Sequence, residues 1–264
     1  MRRSSALCFW DLRGPLRVGS LRLWLSPAAP EGLKELLLLT ADELTSLPEA
    51  RLVMTKPITT VLELRLGGRR FYLKRYNDRG LKYGLRFSLG FGKGMRAAAG
   101  SATLAQAGFA VPKVLAVGRR LRPREDFVVA EAVGGALLKG ILRGKAPFPP
   151  GVDADRLVSE LGREIGRMHA AGIIHGDLNI GNVVVCGDAR FAFLDAEKAR
   201  RRRLTLARAA RELADLNNPN RPLAGPHAAE RFLEAYLLER PRVDGEALAR
   251  ATARASELRH GGSE

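Results

Sequence analysis

The sequence predicts an α+β protein of two lobes, a small strand-rich lobe followed by a mainly helical one. Two patterns carry this prediction. Residues 59–76 alternate apolar and polar side chains around Gly67-Gly68, which is typical of a β-hairpin. Residues 153–171 repeat apolar side chains every three or four positions, which is typical of an amphipathic helix. The predicted division is a lead-in without an assigned role over residues 1–50, a first lobe over 51–133 and a second lobe over 134–264.

The remaining elements follow in chain order. Residues 96–107 are predicted to form a helix that ends at Gly108, because glycine is a common residue after a helix C-terminus. An extended segment from Val111 to Val117 and a short buried strand over residues 127–130 complete the first lobe. The second lobe continues after its amphipathic helix with three helical stretches, predicted over about residues 205–216, 227–239 and 245–258.

The composition indicates a globular chain with polyanionic partners. Apolar residues make up 46% of the 264 residues, which excludes a disordered chain, and the formal net charge is +16. Such a charge favours nucleic acid, an anionic membrane surface or phosphorylated substrates as partners. The two cysteines, Cys8 and Cys186, lack metal-ligand spacing, so neither a disulfide framework nor a zinc site is expected.

The most informative stretch is residues 173–182, which read I-I-H-G-D-L-N-I-G-N between two apolar runs. Polar side chains in such a position are costly unless they have partners or a function. A second acid, Asp195, ends the apolar strand predicted over residues 191–194. Asp177 is suited to accept a hydroxyl proton, and Asn182 and Asp195 are suited to hold Mg²⁺ on nucleotide phosphates. These are the groups that a magnesium-dependent phosphotransferase needs.

Three stretches carry a resemblance to a known family. They are Y-L-K-R-Y at residues 72–76, the passage from Gly108 to Pro112, and H-G-D-L-N-I-G-N at 175–182 with Leu194-Asp195. Together they resemble the protein-kinase-like superfamily and, within it, the lipopolysaccharide core kinases (the Kdo and heptose kinase group). The resemblance implies a two-lobed protein-kinase-like fold and a kinase that transfers the γ-phosphoryl group of ATP to a hydroxyl. The favoured acceptor is a sugar of the lipopolysaccharide core.

The resemblance also implies a role for each matching residue. Asp177 would orient and deprotonate the acceptor hydroxyl, and Asn179 would contact the transferred phosphoryl group. Asn182 and Asp195 would bind Mg²⁺, while Lys74 would contact the α- and β-phosphates of ATP.

Glu131 and Val133 follow the strand predicted over residues 127–130 and resemble the hinge between the lobes of a kinase. Backbone groups at such a hinge would pair with the adenine edge of ATP. His175 and His169 are expected to be structural, with His175 holding the backbone of its loop.

Two departures from the family pattern concern Lys74. The helix predicted over residues 96–107 contains no acid to pair with this lysine, which leaves Glu131 and Asp195 as alternative partners. No G-x-G-x-x-G precedes Lys74, so the backbone near Thr59-Thr60 is expected to cover the phosphates. A pseudokinase that binds nucleotide without turnover therefore stays open, as do an aminoglycoside- or choline-type phosphotransferase and a protein Ser/Thr kinase.

A basic run follows Asp195, and it has two interpretations. It is either a solvated face or a contact with the phosphates of lipid A or with an anionic membrane. Its members are Lys198, Arg200, Arg201, Arg202 and Arg203. With no apolar run of the roughly 18 residues of a membrane span and no signal peptide evident, we expect a cytoplasmic location, peripheral on the inner face of the cytoplasmic membrane. The expected acceptor is a glycolipid or a small molecule. Nucleic acid is disfavoured, because no aromatic-rich basic platform or recognition-helix pattern occurs.

Overall fold

The computed structural model describes residues 9–77, 80, 87, 92–122, 124–216 and 227–260. The chain divides into two compact units: residues 1–102 with 112–132, and residues 103–111 with 133–264. The first eight residues of the predicted lead-in lie outside the described residues.

The first unit is built on an antiparallel sheet of seven strands in the order β1-β2-β6-β7-β5-β4-β3. The strands are β1 (Arg13–Val18), β2 (Leu21–Leu25), β3 (Ala50–Lys56), β4 (Thr59–Leu66), β5 (Arg69–Tyr76), β6 (Val114–Arg120) and β7 (Glu125–Glu131). Its helices are α1 (Leu33–Leu38) and α2 (Ala41–Thr45), together with most of α3 (Lys93–Ala105). The predicted strand over residues 127–130 and the helix before Gly108 are both confirmed, with α3 beginning three residues earlier than predicted.

The predicted hairpin is confirmed as β4 and β5. Gly67 and Gly68 have φ angles of 56° and 74°, the left-handed values that a two-residue hairpin turn requires and that glycine adopts without steric cost. The turn fixes the register, so that Lys74 lies opposite Val61 of β4 and Val128 of β7.

One face of this sheet is covered by α1 and α2, which belong to the segment that the sequence left without a role. Leu33 and Leu37 of α1 and Leu44 of α2 are fully buried in one apolar cluster with side chains of the sheet. These sheet residues include Leu62, Leu64, Phe71 and Leu73. Because successive strand side chains alternate between faces, Lys74 lies on the opposite face of the sheet.

The second unit is mainly helical. Its helices are α4 (Leu138–Leu142), α5 (Ala154–Ala170), α6 (Leu206–Leu216), α7 (Ala228–Leu238) and α8 (Gly245–His260). Its short strands are β8 (Ala136–Leu137), β9 (Ile173–Ile174), β10 (Val183–Cys186), β11 (Arg190–Phe193) and β12 (Arg200–Arg201). The predicted amphipathic helix and the three C-terminal helices are confirmed, and so is the α+β class with a strand-rich first part and a helical second part.

Helix α5 organises the second unit. Asp153 caps its N-terminus by accepting a hydrogen bond from the Arg156 N–H at 2.7 Å. Its predicted apolar stripe of Leu157, Leu161, Ile165 and Met168 is fully buried. A Cβ at Gly162 would lie 2.4 Å from the Phe232 carbonyl oxygen, so this glycine allows α7 to pack closely on α5.

Two small sheets hold the loops of the second unit. Strands β11, β10 and β8 form one sheet, and β12 pairs with β9 in the other. Val183 lies opposite Phe193, and Arg200 lies opposite Ile174. Among the described residues, no helix is both long enough and apolar enough to cross a membrane.

Candidate active site

The loop over residues 175–182 follows shortly after the end of α5, with only β9 between them. Gly172, with φ at 68°, terminates the helix, and β9 leads into Gly176, with φ at 81°. A Cβ at Gly176 would lie 2.7 Å from the Cβ of Lys198. The positive φ and this close approach both require glycine. The first part of the loop is therefore held directly against the segment that follows Asp195.

Two asparagines fold the loop on itself. Asn179 donates from Nδ2 to the Asp177 carbonyl oxygen at 3.0 Å, and its Oδ1 accepts from the Gly181 N–H at 2.9 Å. The Asn182 N–H donates to the Asn179 carbonyl oxygen at 2.9 Å, which closes a turn. The structure thus places Asn179 as a residue that shapes the loop, and its contact with a phosphoryl group stays a prediction.

The carboxylate of Asp177 is held from two sides. Lys198 Nζ donates to Oδ1 at 2.9 Å, and Asn182 Nδ2 lies 3.3 Å from Oδ2. The Asp177 side chain is nevertheless 41% exposed, so a substrate hydroxyl can reach it. Lys198 was predicted only as part of the basic run, and its contact with Asp177 was missed because nothing in the sequence pairs residues 21 positions apart.

Asp195 is fixed close to Asn182 by the backbone. The Leu194 N–H donates to the Asn182 carbonyl oxygen at 2.8 Å, directly after the β10–β11 ladder. Asp195 then turns into the left-handed region, with φ at 55° and ψ at 44°, and is exposed. Aspartate tolerates this conformation better than most residues, but the conformation still costs free energy. Strained backbone of this kind is common at functional sites.

The groups at Asn182 and Asp195 fit Mg²⁺. The amide nitrogen of Asn182 is used by Asp177, which leaves its amide oxygen as the group available for coordination. Asp195 adds an exposed carboxylate. Mg²⁺ prefers a few such oxygen ligands and fills its other positions with water and substrate phosphates.

A buried acid, Glu212, holds the start of the loop over residues 175–182 from the interior of the second unit. Glu212 of α6 accepts hydrogen bonds from the backbone N–H groups of His175 and Gly176, at 3.1 and 2.5 Å. It also accepts from Nε2 of His169 at 2.9 Å, and Nδ1 of His169 meets the Tyr236 hydroxyl at 2.9 Å. The predicted structural role of His169 is confirmed, because both of its ring nitrogens are engaged in the core.

Glu212 and His175 are both buried, but only Glu212 is charged. Burial raises the pKa of the Glu212 carboxyl, but the hydrogen bonds from His169 and Gly176 outweigh this effect and hold the pKa below its usual value. Burial lowers the pKa of His175, so the ring is neutral. His175 donates from Nε2 to the Leu194 carbonyl oxygen at 2.9 Å. This bond joins the loop of Asp177 to the loop of Asp195 and confirms the predicted structural role of His175.

Glu212 was not among the predicted site residues, although the sequence contains a signal for it. Ala209, Leu213 and Leu216 surround Glu212 on the buried face of α6. An acid in the middle of an apolar helical stripe indicates a buried carboxylate with specific partners. Two of its three partners are backbone N–H groups, which leave no trace in a sequence.

The residues predicted to contact ATP are distributed over both units. Lys74 of the first unit is half-buried on β5, with Nζ 5.4 Å from the centre of the Tyr76 ring. Glu131 forms an ion pair with Arg69 at 2.9 Å, and its N–H donates to the Lys113 carbonyl oxygen. Val133 is the residue at which the chain returns to the second unit, after residues 112–132 in the first. The roles of Lys74, Glu131 and Val133 stay predictions.

Several curated proteins match parts of the chain. It is 44% identical over 54 residues to a probable bifunctional tRNA threonylcarbamoyladenosine biosynthesis protein of Methanothermobacter thermautotrophicus, a match over 20% of this chain and 10% of that protein. It is 32% identical over 102 residues to the 3-deoxy-D-manno-octulosonic acid kinase of Vibrio parahaemolyticus, over 38% of this chain and 40% of that protein. The chain therefore spans less than half of the length of either relative.

A solved structure and a family model also match. The bifunctional kinase-methyltransferase WbdD superposes with a TM-score of 0.46 at 17% identity, covering 75% of this chain and 42% of that chain. The model of the lipopolysaccharide kinase (Kdo/WaaP) family matches residues 46–236, well over half of the sequence. The resemblance found in the sequence is thereby confirmed, and the chain belongs to the lipopolysaccharide kinase (Kdo/WaaP) family.

Proposed function

We propose that this protein transfers the γ-phosphoryl group of ATP to a hydroxyl of a lipopolysaccharide core sugar. The observation that carries the proposal is the half-exposed carboxylate of Asp177, held by Lys198 and Asn182 within the segment that the family model covers. The kinase named among its relatives acts on a sugar of this kind, 3-deoxy-D-manno-octulosonic acid.

Asp177 is the proposed base. Its carboxylate orients the acceptor hydroxyl and takes the proton as the hydroxyl oxygen bonds to the γ-phosphorus. The bond from that phosphorus to the bridging oxygen breaks at the same time, and ADP leaves with the electron pair. Positioning by a general base contributes about 10²–10⁴ in rate. Lys198 holds Asp177 through a charge-assisted hydrogen bond, which fixes the direction of the remaining lone pairs.

Asn182 and Asp195 are the proposed Mg²⁺ ligands. When bound, Mg²⁺ would neutralise charge on the phosphate oxygens of ATP. The protein contributes two ligands whose spacing is fixed by the bond from the Leu194 N–H to the Asn182 carbonyl oxygen. Lys74 is proposed to contact the α- and β-phosphates, a role that rests on the family resemblance.

The exposed basic run supports a peripheral location on an anionic membrane. Arg200 and Arg201 form β12, and both are exposed. Each arginine near an anionic surface contributes about 1 kcal/mol to binding. Replacing all four arginines of residues 200–203 by alanine should release the protein from anionic vesicles. Equal binding by the altered protein, at low and at high salt, would remove the membrane from the proposal.

Phosphate transfer from labelled Mg-ATP to deep-rough lipopolysaccharide tests the proposed function. Asp177→Ala is the blank, and a mixture of proteins is the competing acceptor. Label in the glycolipid that is lost in the blank would support the proposal. Label in protein would favour a protein kinase. Absence of label from both, with ATP still bound, would leave a small-molecule phosphotransferase or an inactive nucleotide-binding protein.

A further inference from the structure

A basic cavity lies on the second unit, at the end of the β9–β12 ladder. It has a volume of about 410 Å³ and is bounded by the end of α5, by the chain that leaves β12 and by the chain that leaves α7. Its charged lining residues are Arg202, Arg203, Glu239, Arg240 and Arg242. Four arginines and only one acidic residue therefore line this concave space.

Most of this positive charge is not neutralised. Arg202, Arg203 and Arg242 are exposed, and within the described part of the chain none of them forms an ion pair with a carboxylate. Unpaired like charges held close together repel one another, and a bound anion removes that repulsion. Guanidinium groups have a planar fork of donors that matches phosphate oxygens.

The cavity is organised before any ligand arrives. Arg240 is half-buried and donates from Nη1 to the Tyr236 hydroxyl at 2.8 Å. The Arg202 N–H donates to the Gly172 carbonyl oxygen at 2.7 Å, and the Arg203 carbonyl oxygen accepts from Arg208 Nη1 at 2.7 Å. These contacts fix the backbone of two lining arginines and the side chain of a third, which lowers the entropy cost of binding.

The cavity is separate from the groups that act on ATP. The β9–β12 ladder has two ends: Lys198 packs on Gly176 at one end, and Arg202 pairs with Gly172 at the other. Asp177 belongs to the first end and the cavity to the second. A ligand in the cavity is therefore not the phosphoryl group that Asp177 serves.

We propose that this cavity is a binding site for a phosphate group that is not transferred. The chemistry fits a phosphate monoester, either free in solution or carried by a lipid head group. The site refines the proposed membrane contact by adding Arg240 and Arg242, which lie outside the basic run. Binding does not require phosphotransfer, so its failure and the failure of the proposed kinase activity are measured separately.

The test compares two variants of equal charge change. Arg202→Gln with Arg242→Gln alters the cavity, while Arg143→Gln with Arg163→Gln removes two exposed arginines of the second unit that do not line it. Each full-length protein is titrated with labelled inorganic phosphate, and separately with phosphatidylcholine vesicles with and without phosphatidic acid. Arg242→Gln alone is measured as well, because it leaves the basic run intact.

We expect the cavity variant to bind phosphate about 10-fold or more weakly than the control variant, with Arg242→Gln in between. The loss of binding in the phosphate titration supports a site for free phosphate. Loss confined to vesicles with phosphatidic acid supports a site for the lipid-borne group. Equal affinities of the cavity and control variants in both titrations would overturn the proposal, since net charge alone would then explain binding.

Discussion

Lys198 Nζ lies 2.9 Å from Oδ1 of Asp177, so the basic run that follows Asp195, the proposed metal ligand, supplies a cation in direct contact with the proposed base. The two side chains are 57% and 41% exposed. A pair this exposed contributes little to stability, and its value lies in fixing the orientation of one carboxylate.

Replacing Lys198 should lower the activity of the protein without lowering its stability. We expect Lys198→Met to lower kcat by up to about 10²-fold, because misplacement of a reacting group has effects of this size. The free energy of unfolding, measured by urea denaturation, should stay within about 1 kcal/mol of wild type. Lys145→Met, at another exposed lysine of the second unit, is the control for loss of charge. Equal kcat values for the two variants would mean that Lys198 does not position Asp177.

The proposed metal ligand has a matched control elsewhere in the chain. Asp195 and Asp188 both have φ at 55°, and asparagine tolerates this conformation. Asp195→Asn should therefore fold normally but lose magnesium-dependent turnover by about 10²-fold or more. Asp188→Asn should retain wild-type activity. Retention of activity in Asp195→Asn would exclude Asp195 from the metal site.

Lys74 can be tested by its effect on ATP use. Lys74→Met should lower kcat/KM for ATP by about 10- to 100-fold, the range for a lost hydrogen bond to a charged group. Arg70→Met, at an exposed position on the same strand, is the comparison. An unchanged kcat/KM would mean that the absence of an acid in α3 reflects a lysine without a role in ATP binding.

Glu212 should matter for stability as well as for turnover. Glu212→Gln keeps the shape of the side chain but removes its charge, weakening its bonds to His169 and to the N–H groups of His175 and Gly176. We expect a loss of about 1–3 kcal/mol in the free energy of unfolding, measured by urea denaturation, together with a lower kcat. The control is Glu234→Gln, at an exposed position on α7. Normal stability and turnover in Glu212→Gln would show that the loop holds its shape without this acid.

His175 should make the protein less stable in mild acid. Burial lowers its pKa from the ordinary value of 6.5, and Nδ1 has no hydrogen-bond partner within the described residues that a new proton could reach. The unfolded chain therefore binds the proton more readily than the folded one. Its contribution is complete above pH 6.5 and is lost as the pH falls below that value.

Urea midpoints of wild type and His175→Gln between neutral and mildly acidic pH measure this effect. The free energy of unfolding of wild type should fall by up to about 1.4 kcal/mol per pH unit more steeply than that of the variant. Parallel curves would show that folding does not lower the pKa of His175.

Patterns among neighbouring residues predicted those helices and turns whose formation depends on neighbouring residues alone. The hairpin at Gly67-Gly68 follows from turn chemistry, and the helix after Asp153 follows from apolar periodicity and a capping acid. The packing of residues 9–50 could not be predicted in this way, because leucines such as Leu33 become part of the core only through contacts with strands that are distant in the sequence.

The candidate site also contains residues that the sequence predicted and residues that it did not. Asp177, Asn182 and Asp195 were identified because their spacing is characteristic of the chemistry they are proposed to perform. Lys198 and Glu212 act through contacts 21 and 36 or 37 residues away along the chain. Such contacts are set by packing of β9, β12 and α6, and a linear pattern does not encode them.

The bond from His175 to Leu194 has a consequence for the distance between the proposed base and the proposed metal ligand. Asp177 comes two residues after the histidine, and Asp195 comes directly after the leucine, so one imidazole ring acts as the spacer between them. That ring is fully buried and cannot change rotamer without disturbing the core. The separation between the proposed base and the proposed metal ligand is thus set by a buried side chain and not by the exposed loops that carry them.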